Sequence, residues 1–152
     1  MSAPRRIIAA AGPDGKSCVV SDEAIPLSAN PQPMAVINIW NGAAGRVDNA
    51  ADFVGGFAPF GMHQLTDPIY SVMIAEYGPG LGKDDPGMHF TDTADHFCVT
   101  EGEVVLVLES GDVVMRTGDI GVLRGAVHGW RNDSAALARM LTFVLPAEKL
   151  ER

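Results

Sequence analysis

Apolar residues along this chain come in short runs broken by glycine, proline and turn-forming polar residues, and few runs are long enough for a helix. Strands are predicted at Arg6–Ala10, Lys16–Ser21, Met34–Trp40, Ile69–Tyr77, His96–Thr100, Glu103–Glu109, Val113–Arg116, Ile120–Leu123, Val127–Arg131 and Leu137–Leu145. These runs are rich in Val, Ile, Leu and Phe and are closed off by turn residues. Beyond residue 87 the spacing becomes regular, with turn signals at Glu101-Gly102, Ser110-Gly111, Thr117-Gly118-Asp119, Arg124-Gly125 and Asn132-Asp133. Ser110-Gly111-Asp112, between two apolar runs, predicts a hairpin. Many short strands at even spacing describe an all-β sandwich or barrel. No repeat of solenoid length interrupts them.

Two segments break the pattern. Asn41–Pro68 is long, rich in small residues and weakly patterned, which fits a binding loop, a lid, or a loop or short helix closing one end of a barrel. Gly78-Pro79-Gly80-Leu81-Gly82 reads as a tight bend. The expected organisation is a single domain over 1–152. Residues 1–86 supply N-terminal strands and the Gly-rich loop, and residues 87–146 supply the regular core. The charged tail, Ala147–Arg152, is expected to fray.

Composition narrows the function. With 47% hydrophobic and 20% charged residues the chain reads as globular, and its net charge of −8 opposes nucleic acid and anionic membrane surfaces. No stretch has the apolar length of a membrane span. The apolar piece within Met1–Ala11 is too short for the core of a signal peptide. Two cysteines, Cys18 and Cys98, are therefore expected as buried thiols in a cytoplasmic protein. No Gly-x-Ser-x-Gly elbow or phosphate-binding glycine loop is present.

Chemistry concentrates in two segments. Alternate residues of a strand share a face, so in Gly87–Asp95 the side chains of His89 and Thr91 point the same way. If a strand continues through Asp95, then Asp95, Phe97 and Val99 face inward, while His96 and Cys98 face out. In Gly118–Asn132, His128 and Trp130 share a face, with Gly129 and Arg131 on the other. Two imidazoles and a carboxylate brought together from separate strands suit a divalent metal or an acid–base pair.

These segments resemble the two motifs of the cupin superfamily. The first runs His-x-His, three or four residues, Glu, six residues, Gly, and is matched by His89, Thr91, Asp95 and Gly102. The second runs Gly, five residues, Pro-x-Gly, two residues, His, three residues, Asn. It is matched by Gly118, Arg124-Gly125, His128 and Asn132, one residue short because Arg-Gly stands for Pro-x-Gly. The short span Glu103–Thr117 between the motifs is similar to that of compact bacterial cupins. The wording is closest to small single-domain cupins of the uncharacterised cupin-2 type. The resemblance implies a jelly-roll (double-stranded β-helix) barrel with N-terminal strands extending one sheet, and association as a homodimer.

The resemblance also implies a site. Cupins that hold a metal usually present three histidines and a glutamate, whereas this chain has Thr91 in place of the second histidine and Asp95 in place of the glutamate. His89, Asp95 and His128 remain as a set able to hold Fe, Zn, Mn or Ni. Thr91, Phe97 and Trp130 are expected to wall a substrate pocket. Three functions fit: metal-assisted chemistry on an organic acid or carbonyl compound, metal-free acid–base catalysis by Asp95 and His128, or a barrel that binds a small ligand without turning it over. The first is preferred, as a decarboxylase, isomerase, dehydratase or dioxygenase-like enzyme. His63, in the Gly-rich loop, reaches the mouth only if that loop folds over it. Arg124 and Arg131, near turns, are expected as surface groups.

Overall fold

The computed structural model describes residues 4–31, 33–49 and 55–151 and consists almost wholly of β-strands. They are β1 (Arg5–Ala11), β2 (Ser17–Ala24), β3 (Met34–Ala43), β4 (Ile69–Tyr77), β5 (Thr93–Glu101), β6 (Glu103–Leu108), β7 (Gly111–Arg116), β8 (Ile120–Arg124), β9 (His128–Arg131) and β10 (Ala138–Pro146). One short helix, α1 (His63–Thr66), precedes β4. Each predicted run holds a strand, with ends moved by a few residues. Three ends move by three residues: β2 and β3 run on to Ala24 and Ala43, and β5 begins at Thr93 rather than His96 and so takes in Asp95.

The strands form a five-stranded sheet in the order β3-β4-β10-β5-β8, a three-stranded sheet β7-β6-β9, and a two-stranded ribbon β1-β2. All pairings are antiparallel, and β6 and β7 make the hairpin expected around Ser110-Gly111. The two larger sheets face each other as a jelly roll. Along β4 the side chains of Ser71, Met73, Ala75 and Tyr77 are buried, and along β10 those of Ala138, Met140, Thr142 and Val144. This period-two burial puts one face of each strand into the core. Phe97, Val99, Val104, Leu106, Met115 and Leu123 complete it from β5 to β8. Each such side chain stabilises the fold by about 1.5–3 kcal/mol relative to exposure.

Of the N-terminal strands, β3 extends the five-stranded sheet, while β1 and β2 pair only with each other. The ribbon is nevertheless tied down. Arg6, 8% exposed, donates to the carbonyls of Ile39 and Gly56 at 2.9 and 2.7 Å and pairs with Glu23, while its guanidinium lies over the Phe57 ring. Glu23 in turn accepts from the Gly56 amide at 2.9 Å. Positions 55–57 are thus pinned to the ribbon, and the chain from there leads to α1 beside the barrel mouth. Positions 50–54 of the predicted Asn41–Pro68 loop lie outside the described residues.

A second buried ion pair fixes the outer side of the sheet. Glu76, fully buried, meets Arg139 across the β4–β10 register at 2.8 Å, and its other oxygen accepts from the Ser28 amide at 2.8 Å. The expectation of two buried thiols fails for Cys18, which is exposed on β2; Cys98 is half-buried, and both are free. The ribbon has no sheet packed over Cys18, so strand membership there does not bring burial. Among the described residues no helix is long and apolar enough to cross a membrane.

Candidate active site

Segment 81–89 runs back along β9 as an extra strand-like layer. The amides of Asn132 and Trp130 donate to the carbonyls of Leu81 and Pro86 at 2.9 and 3.1 Å, and His89 and His128 exchange both backbone bonds at 2.8 Å. Such a mutually bonded antiparallel pair sets two side chains next to each other on one face. The two imidazoles accordingly lie with centroids 4.5 Å apart. Gly129 permits the approach, since a Cβ there would stand 2.5 Å from the Pro86 carbonyl oxygen.

Both rings are held in the same way. His89 Nδ1 lies 2.7 Å from the carbonyl oxygen of Gly87, and His128 Nδ1 lies 2.9 Å from that of Ala126. A carbonyl oxygen only accepts, so each Nδ1 carries the hydrogen and each neutral ring presents a bare Nε2 lone pair. Gly87 reaches the required turn at φ 66°, a left-handed conformation that side-chain-bearing residues rarely adopt. Its amide is fastened to the Asp85 carboxylate at 2.8 Å.

Asp95, on β5, faces the same space. Its Oδ1 is buried and has no hydrogen-bond partner. Burial pushes the carboxyl above the usual aspartate range, opposed by the Thr93 hydroxyl and by His128 and His89. His128, only 4% exposed, is held below the usual histidine range by the same loss of solvent. Both shifts favour the uncharged forms. His89 sits at the exposed rim. The buried Tyr77 hydroxyl, also raised by burial and by Asp95, lines the cavity as well.

His89, Thr91, Asp95, Phe97, His128 and Trp130 all line one cavity of about 590 Å³. Phe97 packs edge-on to Trp130 at 5.3 Å, and Trp130 meets His128 at 5.9 Å. Sequence reasoning left out the opposite wall: Met34 and Val36 from β3, Met73 and Tyr77 from β4, Met140 and Val144 from β10. Their period-two pattern could have named them, once β3, β4 and β10 were known to share the sheet. It also left open the roof, where Phe60, Met62 and Leu65 of the Gly-rich segment reach the cavity. His63 and His96 are exposed and lie outside the cavity lining. Arg131 is paired with Asp112 and Asp133 at 2.9 and 2.8 Å, and Arg124 is exposed. Asn132, the last motif residue, is structural: its amide donates to the carbonyls of Tyr77 and Ala136, each at 2.9 Å.

The donors suit a divalent metal in kind: two imidazole nitrogens oriented by backbone carbonyls and one unpartnered carboxylate oxygen. Among the described residues, however, no group of three or more His, Cys, Asp and Glu side chains is gathered closely enough to hold an ion.

No family model matches the chain. The cupin domain of Schizosaccharomyces pombe Cnp3 superposes with a TM-score of 0.56 at 10% identity, covering 93% of this chain and 87% of that one. The fold is therefore that of a cupin, and the protein is a small cupin-type jelly roll. In sequence it is 42% identical over 66 residues to a phomopsin biosynthesis cluster protein of Diaporthe leptostromiformis, covering 42% of this chain and 35% of that protein. It is 38% identical over 81 residues to a cupin-domain-containing oxidoreductase of Neurospora crassa, covering 52% of this chain and 40% of that protein. The matches thus span well under half the length of these curated relatives.

Proposed function

We propose that the protein is a small-molecule enzyme of the cupin type, acting on an organic acid or carbonyl compound at the polar end of this cavity. One observation carries the reading: two Nε2 lone pairs and an unpartnered buried carboxylate oxygen face a single, otherwise apolar cavity. His89, Asp95 and His128, not gathered closely enough to hold an ion as they stand, would have to draw together around a divalent Fe, Zn, Mn or Ni. When bound, such an ion supplies a Lewis acid that polarises a substrate oxygen. The chain's own groups do the remaining work. The carbonyls of Gly87 and Ala126 fix the tautomer and direction of each ring, and Phe97 and Trp130 exclude water, which strengthens electrostatic interactions inside. Decarboxylation, isomerisation, dehydration and ring-opening oxygenation all draw on this arrangement. The likeness to fungal cupin-domain-containing oxidoreductases supports an enzyme without choosing among those reactions. Metal analysis of purified protein tests the metal: about one equivalent per chain, native or after supplying Fe, Mn, Ni or Zn, is expected. A value near zero that none of the four restores removes it.

A second reading keeps the enzyme without the ion, and the opposed pKa directions of Asp95 and His128 favour it. Two adjacent groups, each pushed toward its neutral form, can exchange a proton with substrate as an acid–base pair. Asp95→Asn and His128→Ala should then each abolish turnover in chelator-treated protein, and full activity in both rejects the pair. We also infer a cytoplasmic homodimer. Two free cysteines suit a reducing compartment, and exposed Ile120, Val122, Phe143 and Leu145 offer a second copy an apolar surface. Light scattering checks the dimer: a monomer mass at working concentration excludes it.

A further inference from the structure

We propose that the cavity takes an uncharged, predominantly apolar molecule bearing a hydroxyl (a phenol, an enol or an alcohol), whose O–H meets the His89, His128 and Asp95 end while its hydrocarbon body lies along Met34, Met62 and Phe90. The inference rests on the reading of this cavity as the substrate site; of the compounds named there it keeps carbonyl compounds that carry a hydroxyl or stand as the enol, and drops ionised acids.

The first ground is the inventory of donors and acceptors at the polar end. Each imidazole has spent its N–H on a backbone carbonyl, leaving Nε2 as an acceptor. Asp95 Oδ1 is an acceptor without a donor. The Thr91 hydroxyl is engaged with that of Thr93 at 2.6 Å. Against these three acceptors the Tyr77 hydroxyl, beside Asp95, is a donor, so acceptors outnumber donors at this end. A ligand hydroxyl both gives a hydrogen to these acceptors and takes one from Tyr77, while an ether, a ketone or a carboxylate only accepts.

The second ground is charge. Among the described residues the lining holds two aspartates and no lysine or arginine. Arg131 is committed to Asp112 and Asp133, and Arg139 to Glu76 and Glu101, outside the cavity. A carboxylate entering here would be desolvated with no cation to meet it, beside a carboxylate of the protein. An ammonium head would meet the carboxyl groups of Asp85 and Asp95 yet surrender the rest of its hydration to walls of methionine, valine and aromatic side chains, so the amine probe decides between cation and hydroxyl.

The third ground lies at the mouth. Met62 is 64% exposed, Phe90 49% and Met34 42%, yet all three line the cavity. Large apolar side chains left in water around an opening mark a place where apolar surface docks. Met62, Leu65, Phe90 and Thr91 also line an adjoining groove of about 450 Å³, which gives a long hydrocarbon body room to continue outward. The main cavity has the size that holds small organic molecules.

Four matched probes separate these grounds: 2-naphthol, 2-methoxynaphthalene, 2-naphthoate and 2-naphthylmethylammonium, titrated into chelator-treated full-length protein and read by the combined fluorescence of Trp40 and Trp130 and by thermal shift. 2-Naphthol is expected to bind about tenfold or more tighter than each of the others. Met62→Gln, at the exposed rim, should weaken 2-naphthol and 2-methoxynaphthalene alike while leaving the melting temperature of the free protein unchanged. Methoxynaphthalene binding as well as naphthol would overturn the hydroxyl. Either charged probe binding as well as naphthol would overturn the neutral ligand, and so would failure of naphthol to bind. Metal analysis on the same preparation keeps the two readings apart. A naphthol preference in protein that takes up no metal leaves this inference standing and removes the metal. Naphthoate binding that matches naphthol once Mn or Zn is added overturns this inference and leaves the metal in place.

Discussion

His89 and His128 lie opposite each other across two antiparallel chain segments, exchange both backbone hydrogen bonds at 2.8 Å, and hold their rings 4.5 Å apart. This pairing joins the two motif segments, 39 positions apart in the chain (128 − 89), at one point of the barrel mouth. The two residues differ in what else they do. His89 is exposed at the rim, whereas His128 is buried against Trp130.

That difference predicts how each responds to removal. His89→Ala should change unfolding free energy by less than about 0.5 kcal/mol, as an exposed substitution does. His128→Ala, which opens space in the core and removes a bonded ring, should cost about 1–3 kcal/mol. Both should lose the rise in melting temperature that Zn, Mn, Ni or Fe(II) gives the unaltered protein. Thermal unfolding with and without each metal measures both effects, and a metal-induced rise that survives in either variant would take that histidine out of the ligand set.

Asp95 and His128 impose opposite pH slopes on stability. Burial raises the Asp95 carboxyl in the folded state, so its favourable contribution is complete below the unfolded value of 3.8 and is lost as pH rises through the raised folded value. Burial lowers His128, so its contribution is complete above 6.5 and is lost as pH falls toward the lowered folded value. Asp95→Asn should therefore be more stable than the unaltered protein at neutral pH, with the advantage gone near pH 3. His128→Gln should flatten the fall in stability below pH 6.5. Urea unfolding across this range in metal-free buffer decides it; an Asp95→Asn protein that is weaker at neutral pH would show that the carboxylate has a stabilising partner.

Much of this site could be read from alternation alone. His89 with Thr91, Asp95 with Phe97, and His128 with Trp130 share faces by parity, and all six line the cavity. Parity says nothing about which strands become neighbours, so the wall built by Met34, Met73 and Met140 stayed hidden until the order β3-β4-β10 was known. The same gap let β1 and β2 be read as part of a sheet and Cys18 as buried, although a ribbon with no layer over it leaves the thiol in solvent. The orientation of the two imidazoles depends on carbonyls two residues back, at Gly87 and Ala126, and backbone direction in a turn carries no residue-type signature beyond the glycine.

Glu76 and Arg139 should be far more costly to separate than their number of contacts suggests. Glu76 is fully buried and holds Arg139 at 2.8 Å and the Ser28 amide at 2.8 Å, while Arg139 also donates to the Ser28 carbonyl at 3.1 Å. Removing one partner leaves the other charge desolvated, a loss of about 3–5 kcal/mol. Glu76→Ala is expected to lose this much in denaturant unfolding and to open the chain around Ser28 to proteolysis. The double variant Glu76→Met with Arg139→Met should recover most of the loss, because the one charge left unpaired, Glu101, is exposed to solvent. A double variant no better than the single would mean that the backbone bonds to Ser28, rather than the ion pair, carry the stability.

Gly121 controls the floor of the cavity from the neighbouring strand. It lies opposite Phe97 in the β5–β8 register, and a Cβ at this position would stand 2.3 Å from the Phe97 ring tip. Phe97 is 3% exposed and has its edge against Trp130 at 5.3 Å, so it cannot retreat into solvent and must move toward the cavity or push Trp130. Gly121→Ala should therefore cost about 1–3 kcal/mol by overpacking. It should also shift the tryptophan emission, through Trp130 rather than Trp40 because Phe97 touches Trp130, and reduce the affinity for apolar probes that fill the cavity. Pairing it with Phe97→Leu, which withdraws the ring tip, should restore stability while leaving Trp130 emission altered. Gly121→Ala with unchanged stability and unchanged emission would mean that β8 moves outward at no cost, and that the strand edge, not the ring, yields.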